Sequence, residues 1–352
     1  MPIDTHHPSR RKLILGTASA FAAGLTAASP SLLGASTMPL APNENARASK
    51  EQIGGEEYRA IKGDVDLYMF RKRKVAAGGA PLPILFLAHG SSVSSRPTFD
   101  LRVPGRGEYS MMDVFARYGF DVWTMDFEGY GRSSRTTGNS DVASGVQDLQ
   151  EAAAVIAKET GQQRFHLYGE SGGALRAGSF AVQFPDRVDR LVLAAFTWTG
   201  QGSPTLEKRG EAVEFYKTHN RRARGREMIL SIFTRDKPGT SDPAVGQAMA
   251  DAEMPFGDTV PTGTYLDMTT KLPLVDPTKL EAPTLIARGE FDGISSQEDL
   301  LNFYSRLRVQ DRQFNVMPGA AHALALGTNR EQFWHVMKAF LDMPPRRDVV
   351  KG

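Results

Sequence analysis

The sequence predicts an α/β protein whose sheet is mostly parallel and covered by helices on both faces. Three observations predict it. Short apolar runs rich in Val, Ile, Leu and Phe recur along the chain, the signature of strands buried on both faces. Helix-like segments separate them, and such alternation builds parallel sheets. Finally, 352 residues, 41% of them hydrophobic and 23% charged, suffice for a sizeable core without the signature of disorder.

Taken in order, the predicted strands are Val65–Arg71, Ile84–Ala88, Asp121–Asp126, Phe165–Gly169, Arg190–Phe196, Thr284–Gly289 and Gln313–Gly319. Helical patterns fall at Asp148–Thr160 and at Arg330–Leu341, where Phe333, Met337 and Phe340 share one stripe. From Thr197 to Leu280 the rhythm breaks. This interval far exceeds an ordinary crossover and carries helical stretches such as Glu207–His219 and Gly225–Phe233. It is expected to be a helical cap (197–280) inserted into a core formed by 49–196 and 281–352.

The amino-terminal 48 residues read as a cleaved signal peptide. Arg10 and Arg11 precede a mildly apolar, Ala-rich stretch, as in bacterial twin-arginine export signals. Ala46–Ala48 offers a peptidase site, with a cut near Ala35 as the rival. Interruptions by Gly, Ser, Thr and Pro30 argue against a stable membrane span. A periplasmic or secreted protein, delivered by export machinery, is the expectation. Removing residues 1–48 takes away four basic and two acidic residues and leaves the remainder formally neutral, so overall charge gives nucleic-acid binding no support. The chain has no cysteine, which excludes disulfides, thiolate metal sites and a cysteine nucleophile.

In open α/β sheets, ligands bind at the carboxyl ends of the strands. Ser171 follows Phe165–Gly169 within the motif GESGG, Asp292 follows Thr284–Gly289, and His322 follows Gln313–Gly319. A serine hydroxyl is a weak nucleophile until a neighbouring base accepts its proton. Imidazole titrates near neutral pH, and a carboxylate fixes its tautomer. Rival acids are Glu290 and Asp299. The rival histidines are His89 within HGSS, His166 inside a strand, His219 in the cap and His335 on a helix. Asp126 and the GYG beyond it shape a loop, with catalysis as the minor alternative, and the basic run Asn220–Arg226 reads as a solvated helix face, with attraction of anionic substrates as the alternative. No HExxH, P-loop or GxGxxG motif occurs, so metal, nucleotide and dinucleotide cofactors are not called for.

From about Tyr58 to Leu341 the chain resembles an α/β-hydrolase: GESGG, HGSS (His89–Ser92), DFEGYGRSS (Asp126–Ser134), then acid and histidine in family order. The resemblance implies a sheet of about eight strands and a triad of Ser171, Asp292 and His322. It also implies an oxyanion hole from the backbone N–H groups of Gly172 and Ser91, with Ser92 as the alternative. Trp198, Met254 and Phe256 are expected to line the substrate pocket under the cap. The implied activity is cleavage of a small-molecule carboxylic ester. Lactonase, amidase or aminopeptidase chemistry is the enzyme alternative, and ligand binding without turnover is the alternative of another class.

Overall fold

The computed structural model describes residues 52–75 and 80–344. The leader, its arginine pair and both cleavage sites lie outside these residues. No described helix is long and apolar enough to cross a membrane.

Eight strands form one sheet: β1 (Ile53–Lys62), β2 (Val65–Lys74), β3 (Ile84–Ala88), β4 (Asp121–Met125), β5 (Phe165–Glu170), β6 (Val188–Ala194), β9 (Thr284–Gly289) and β10 (Arg312–Met317). Their order is β1-β2-β4-β3-β5-β6-β9-β10. β1 pairs antiparallel with β2, and β2 antiparallel with β4, while every later pairing is parallel. β1 was not predicted. Its sequence, IGGEEYRAIK, leaves most side chains exposed or only partly buried, so no continuous apolar run marks it.

Strand residues alternate between two cores. Phe86, Leu167 and Leu193 face one, filled by α3 (Val142–Thr160), α4 (Gly172–Gln183) and α10 (Gln297–Arg306) through Leu149, Phe180 and Phe303. Leu85, Leu87 and Tyr168 face the other, beneath α2 (Met111–Arg117) and α11 (Arg330–Leu341), which supply Phe115, Phe333 and Met337. The start of α3 is fixed locally: the Asp141 side chain accepts from Ser144 N–H, and Gly161 ends the helix at φ 73°. A five-residue helix, α1 (Ser95–Phe99), follows the loop after β3.

Between β6 and β9 lie five short helices: α5 (Pro204–Gly210), α6 (Val213–Thr218), α7 (Arg226–Ser231), α8 (Pro243–Glu253) and α9 (Gly263–Thr270). They are accompanied by an antiparallel ribbon of β7 (Arg221–Ala223) and β8 (Thr259–Pro261). The ribbon was not expected. Part of the run read as a solvated basic face is strand, and Arg224 at its end is 1% exposed.

Candidate active site

Ser171 occupies the turn between β5 and α4 with φ 53° and ψ −123°, a backbone conformation that L-residues seldom adopt. The glycines around it allow this turn to nest against the sheet. A Cβ on Gly173 would lie 2.3 Å from the Ala88 carbonyl oxygen, and one on Gly169 would lie 2.4 Å from that of Gly173. Ser171 N–H donates to Ala194 O on β6 at 2.9 Å, pinning the turn to the neighbouring strand.

His322 and Asp292 arrive from the ends of β10 and β9. The imidazole Nδ1 lies 3.0 Å from Asp292 Oδ1. That oxygen also accepts from the N–H groups of Ile294 at 2.8 Å and Ser295 at 3.3 Å, and Ser295 Oγ donates to Oδ2 at 3.2 Å. Burial acts to raise the Asp292 pKa. The adjacent imidazole and these hydrogen bonds outweigh it and bring the carboxyl down to about 2. With Nδ1 engaged by the carboxylate, Nε2 is the nitrogen left for a serine. Ser171 and His322 line one cavity. No direct hydrogen bond joins them among the described residues, a looseness common before substrate arrives.

The loop after β3 brings Ser91 beside Gly172, where an added Cβ would stand 3.4 Å from Ser91 N. His89 orients this loop. Its Nε2 accepts from Phe127 N–H at 3.1 Å, so Nδ1 carries the proton and donates to Gly90 O at 2.7 Å. A trans peptide points its N–H opposite to its C=O, so tying Gly90 O to His89 turns Ser91 N–H the other way. Burial, reinforced by Arg176, depresses the His89 pKa to about 3 and keeps the ring neutral. Ser91 O accepts from Tyr130 Oη at 3.0 Å and Tyr265 Oη at 3.3 Å. The Ser92 hydroxyl lies 2.8 Å from Tyr265 Oη.

Two carboxylates hold the next stretch of this loop from opposite sides. Asp126, at the end of β4, accepts from Ser95 N–H at 2.8 Å and Ser95 Oγ at 2.5 Å. Glu253, at the end of α8, accepts from Ser94 N–H at 3.1 Å and Ser94 Oγ at 2.6 Å, and it pairs with the buried Arg224 at 3.3 Å.

The rival residues are committed elsewhere. Glu290 accepts from Gly319 N–H at 2.8 Å, and Asp299 accepts from the N–H groups of Trp198 and Thr199. His335 is exposed on α11, and His219 stacks on Phe215 with ring centroids 4.1 Å apart.

The expected pocket residues are corrected. Trp198 turns away from the cavity toward α10, its ring 5.8 Å from that of Phe303 and its indole N–H donating to Val275 O at 3.1 Å. Met254 sits beyond the last turn of α8 and packs into the small apolar cluster around Val245. Phe256 lies against the Arg132 guanidinium at 4.7 Å. From the inserted segment the cavity instead takes Arg209, Ile232, Phe233, Arg235 and Met249. A short apolar run at Met228–Phe233 was the available signal, but no periodicity says which of its side chains faces a serine some sixty residues earlier in the chain.

Two further carboxyl groups escaped the sequence reading. Glu170 lines the cavity next to Ser171 and accepts from Tyr168 Oη at 3.0 Å. Burial raises its pKa to about 6, against the opposing effects of that hydrogen bond and of His322. Asp236, from the inserted segment, places an oxygen within 4.8 Å of donor atoms on both Asp292 and His322. Its Oδ2 is buried without a hydrogen-bond partner, and its Oδ1 faces Arg235 Nε at 3.3 Å. These three residues are the metal-capable grouping among those described, although Asp292 Oδ1 and His322 Nδ1 are already engaged with each other.

A strand-end serine and a carboxylate-held imidazole around one cavity, on an eight-stranded sheet of this order, make the molecule an α/β-hydrolase. The chain belongs to the family described as serine aminopeptidase, S33, whose model matches residues 105–329. It is similar to 2-hydroxy-6-oxononadienedioate/2-hydroxy-6-oxononatrienedioate hydrolases of Paraburkholderia phymatum (32% identical over 134 residues, 36% of this chain) and Burkholderia vietnamiensis (35% over 101 residues, 27% of this chain). The matched stretches span 40% and 31% of those relatives' lengths. Among solved structures, 2-hydroxy-6-oxo-6-phenylhexa-2,4-dienoate hydrolase from Rhodococcus sp. strain RHA1 superposes with a TM-score of 0.59 at 18% identity, covering 82% of this chain and all of that one. A carboxylesterase from Bacillus subtilis gives 0.55 at 17% identity, covering 83% and 93%. At these identities the structures speak for the fold.

Proposed function

We propose that this chain is an exported serine hydrolase that cleaves a carboxylic ester through an acyl-enzyme on Ser171. The observation that carries the reading is the Asp292–His322 hydrogen bond at 3.0 Å, with the imidazole facing the cavity that Ser171 shares.

In this reaction the Ser171 hydroxyl oxygen attacks the ester carbonyl carbon as its proton passes to His322 Nε2. The carbonyl π bond opens onto oxygen, and the N–H groups of Gly172 and Ser91 receive the resulting oxyanion. Each such donor is typically worth about 3 to 4 kcal/mol of transition-state stabilisation. The tetrahedral intermediate collapses, the imidazolium proton goes to the departing alkoxide, and an alcohol leaves. Water then repeats the sequence on the acyl-enzyme and releases the acid. Asp292 stays ionised throughout because its pKa is about 2, so the imidazolium always faces a negative charge.

A second reading is hydrolysis of a carbon–carbon bond, favoured by the names of the two curated relatives; the family description adds a peptide bond as a third possibility. The same serine and base serve all of these. The test is covalent labelling with neutral organophosphonates followed by turnover of a panel of esters, lactones, amides and vinylogous β-diketones. Mass spectrometry should find the adduct on the peptide containing YGESGGALR, and Ser171→Ala should abolish it. Esters turned over more slowly than diketones or amides would replace the ester reading, and no labelling would remove the serine mechanism. For export, changing Arg10 and Arg11 together to Lys should hold the protein in the cytoplasm; unchanged periplasmic amounts would refute the twin-arginine route.

A further inference from the structure

Among the described residues, Arg209 is a cation without a counter-ion. It sits on α5 and lines the same cavity as Ser171 and His322. Among the described residues no carboxylate forms an ion pair with it. Its guanidinium meets Met268 Sδ, 3.7 Å from Nη1, and the Tyr265 ring, whose centroid is 4.9 Å from the guanidinium carbon. Neither contact carries a full negative charge. Arg222 lies against the same ring at 4.6 Å and adds positive charge. Burial first, then Arg235 and Arg222, lower the Arg209 pKa to about 10, which still leaves a full cation at neutral pH.

The other groups around it do not cancel this charge. Arg235, the second arginine of the cavity, already faces Asp236 at 3.3 Å. Glu170, beside Ser171 at the end of β5, accepts from Tyr168 Oη at 3.0 Å and forms no ion pair with Arg209 among the described residues. Arg209 is partly buried, and its planar fork matches a carboxylate in two parallel hydrogen bonds. A guanidinium with no ion-paired carboxylate among the described residues has its fork free for one carboxylate. The rest of the wall is largely apolar, with Val93, Ile232, Phe233, Met249 and Leu326, which suits an aliphatic spacer between the anion and the reacting carbonyl.

We propose that the substrate is a monoanionic ester whose free carboxylate pairs with Arg209 while its ester carbonyl is attacked by Ser171. This rests on the serine-hydrolase reading above. The two ends of the cavity then divide the work: the strand ends hold the reacting group, and α5 holds the remote anion that selects the molecule. Binding energy from such a remote group raises kcat/KM for the matching substrate over its neutral analogue.

The experiment compares mono-4-nitrophenyl glutarate with 4-nitrophenyl butyrate on the wild-type chain and on Arg209→Met, Arg209→Gln and Arg209→Lys. A neutral alkylphosphonate titrates functional Ser171 in every preparation, so misfolded variants are counted out. The wild type should prefer the glutarate monoester at least tenfold in kcat/KM. Arg209→Met and Arg209→Gln should bring the ratio to one or below, and Arg209→Lys should leave an intermediate ratio, since it keeps charge without the fork. Free glutarate should inhibit the wild type competitively and the Met variant far less. A ratio indifferent to all three substitutions, with labelling intact, would overturn the inference alone. Failure of the phosphonate to label Ser171 in the wild type would overturn the hydrolase reading, and the inference with it.

Discussion

The carboxyl ends of the sheet and the segment inserted between β6 and β9 meet at one cavity, yet they are built on different principles. At the sheet ends, two carboxylates are held by several hydrogen bonds each: Asp292 holds His322 and two backbone N–H groups, and Asp126 holds Ser95 twice. The inserted segment keeps groups unfinished. Arg209 lacks an anion among the described residues, and Asp236 Oδ2 is buried without a partner. A finished network fixes a geometry, whereas an unfinished one in a cavity leaves interactions for a substrate to make.

The comparison breaks first if the sheet ends are not the chemical half. Ser171→Ala should lower kcat by about 10⁶-fold and Asp292→Asn by about 10⁴-fold, as in serine proteases. Glu290→Gln should stay within a few-fold, because among the described residues its carboxylate serves Gly319 N–H alone. Steady-state kinetics on a chromogenic ester measures all three. Equal effects of Asp292→Asn and Glu290→Gln would move the acid.

A second prediction concerns the join between the regions. Glu253→Gln keeps an acceptor for Ser94 but strips the buried Arg224 of its charge partner, 3.3 Å away in the native pair. Leaving one buried charge uncompensated costs about 3 to 5 kcal/mol. Denaturant unfolding should show that loss; a change within about 0.5 kcal/mol would mean the segment is fastened elsewhere.

Trp198→Ala should cost about 3 kcal/mol of stability by emptying the space against Phe303. The ranking of esters should remain that of the wild type, since the indole does not reach the cavity. A changed ranking would return Trp198 to the pocket.

The smallest effect sharpens the electrostatics beside the serine. The Glu170 pKa is about 6 in the folded protein against 4.5 for a free side chain, so the folded state binds the proton more tightly. Stability from this group is present below pH 4.5 and falls as pH rises through about 6, by on the order of 2 kcal/mol. Glu170→Gln should flatten that slope, and the variant should match or exceed the wild type in melting temperature at pH 8. A wild-type slope unchanged by the substitution would assign it to other groups.

Much of this was legible in advance, and the reasons are local. Central strands such as Ile84–Ala88 are fully buried, so hydrophobicity alone marks them. GESGG announced a strained turn because only glycine tolerates backbone 2.3 Å from a would-be Cβ. By contrast β1, half exposed and paired only with β2, carried no comparable mark, and the three-residue strands β7 and β8 are too short for any period to register.

From the sequence came seven strands in chain order and the placement of Ser171, Asp292 and His322 after three of them, because buried parallel strands and tight turns impose their composition residue by residue. Tertiary structure alone decided which side chains of 197–280 face the serine: Arg209 and Met249 in, Trp198 out. That choice depends on how short helices pack against loops distant in sequence. A guanidinium without an anion looks like any other arginine until its neighbours are in place.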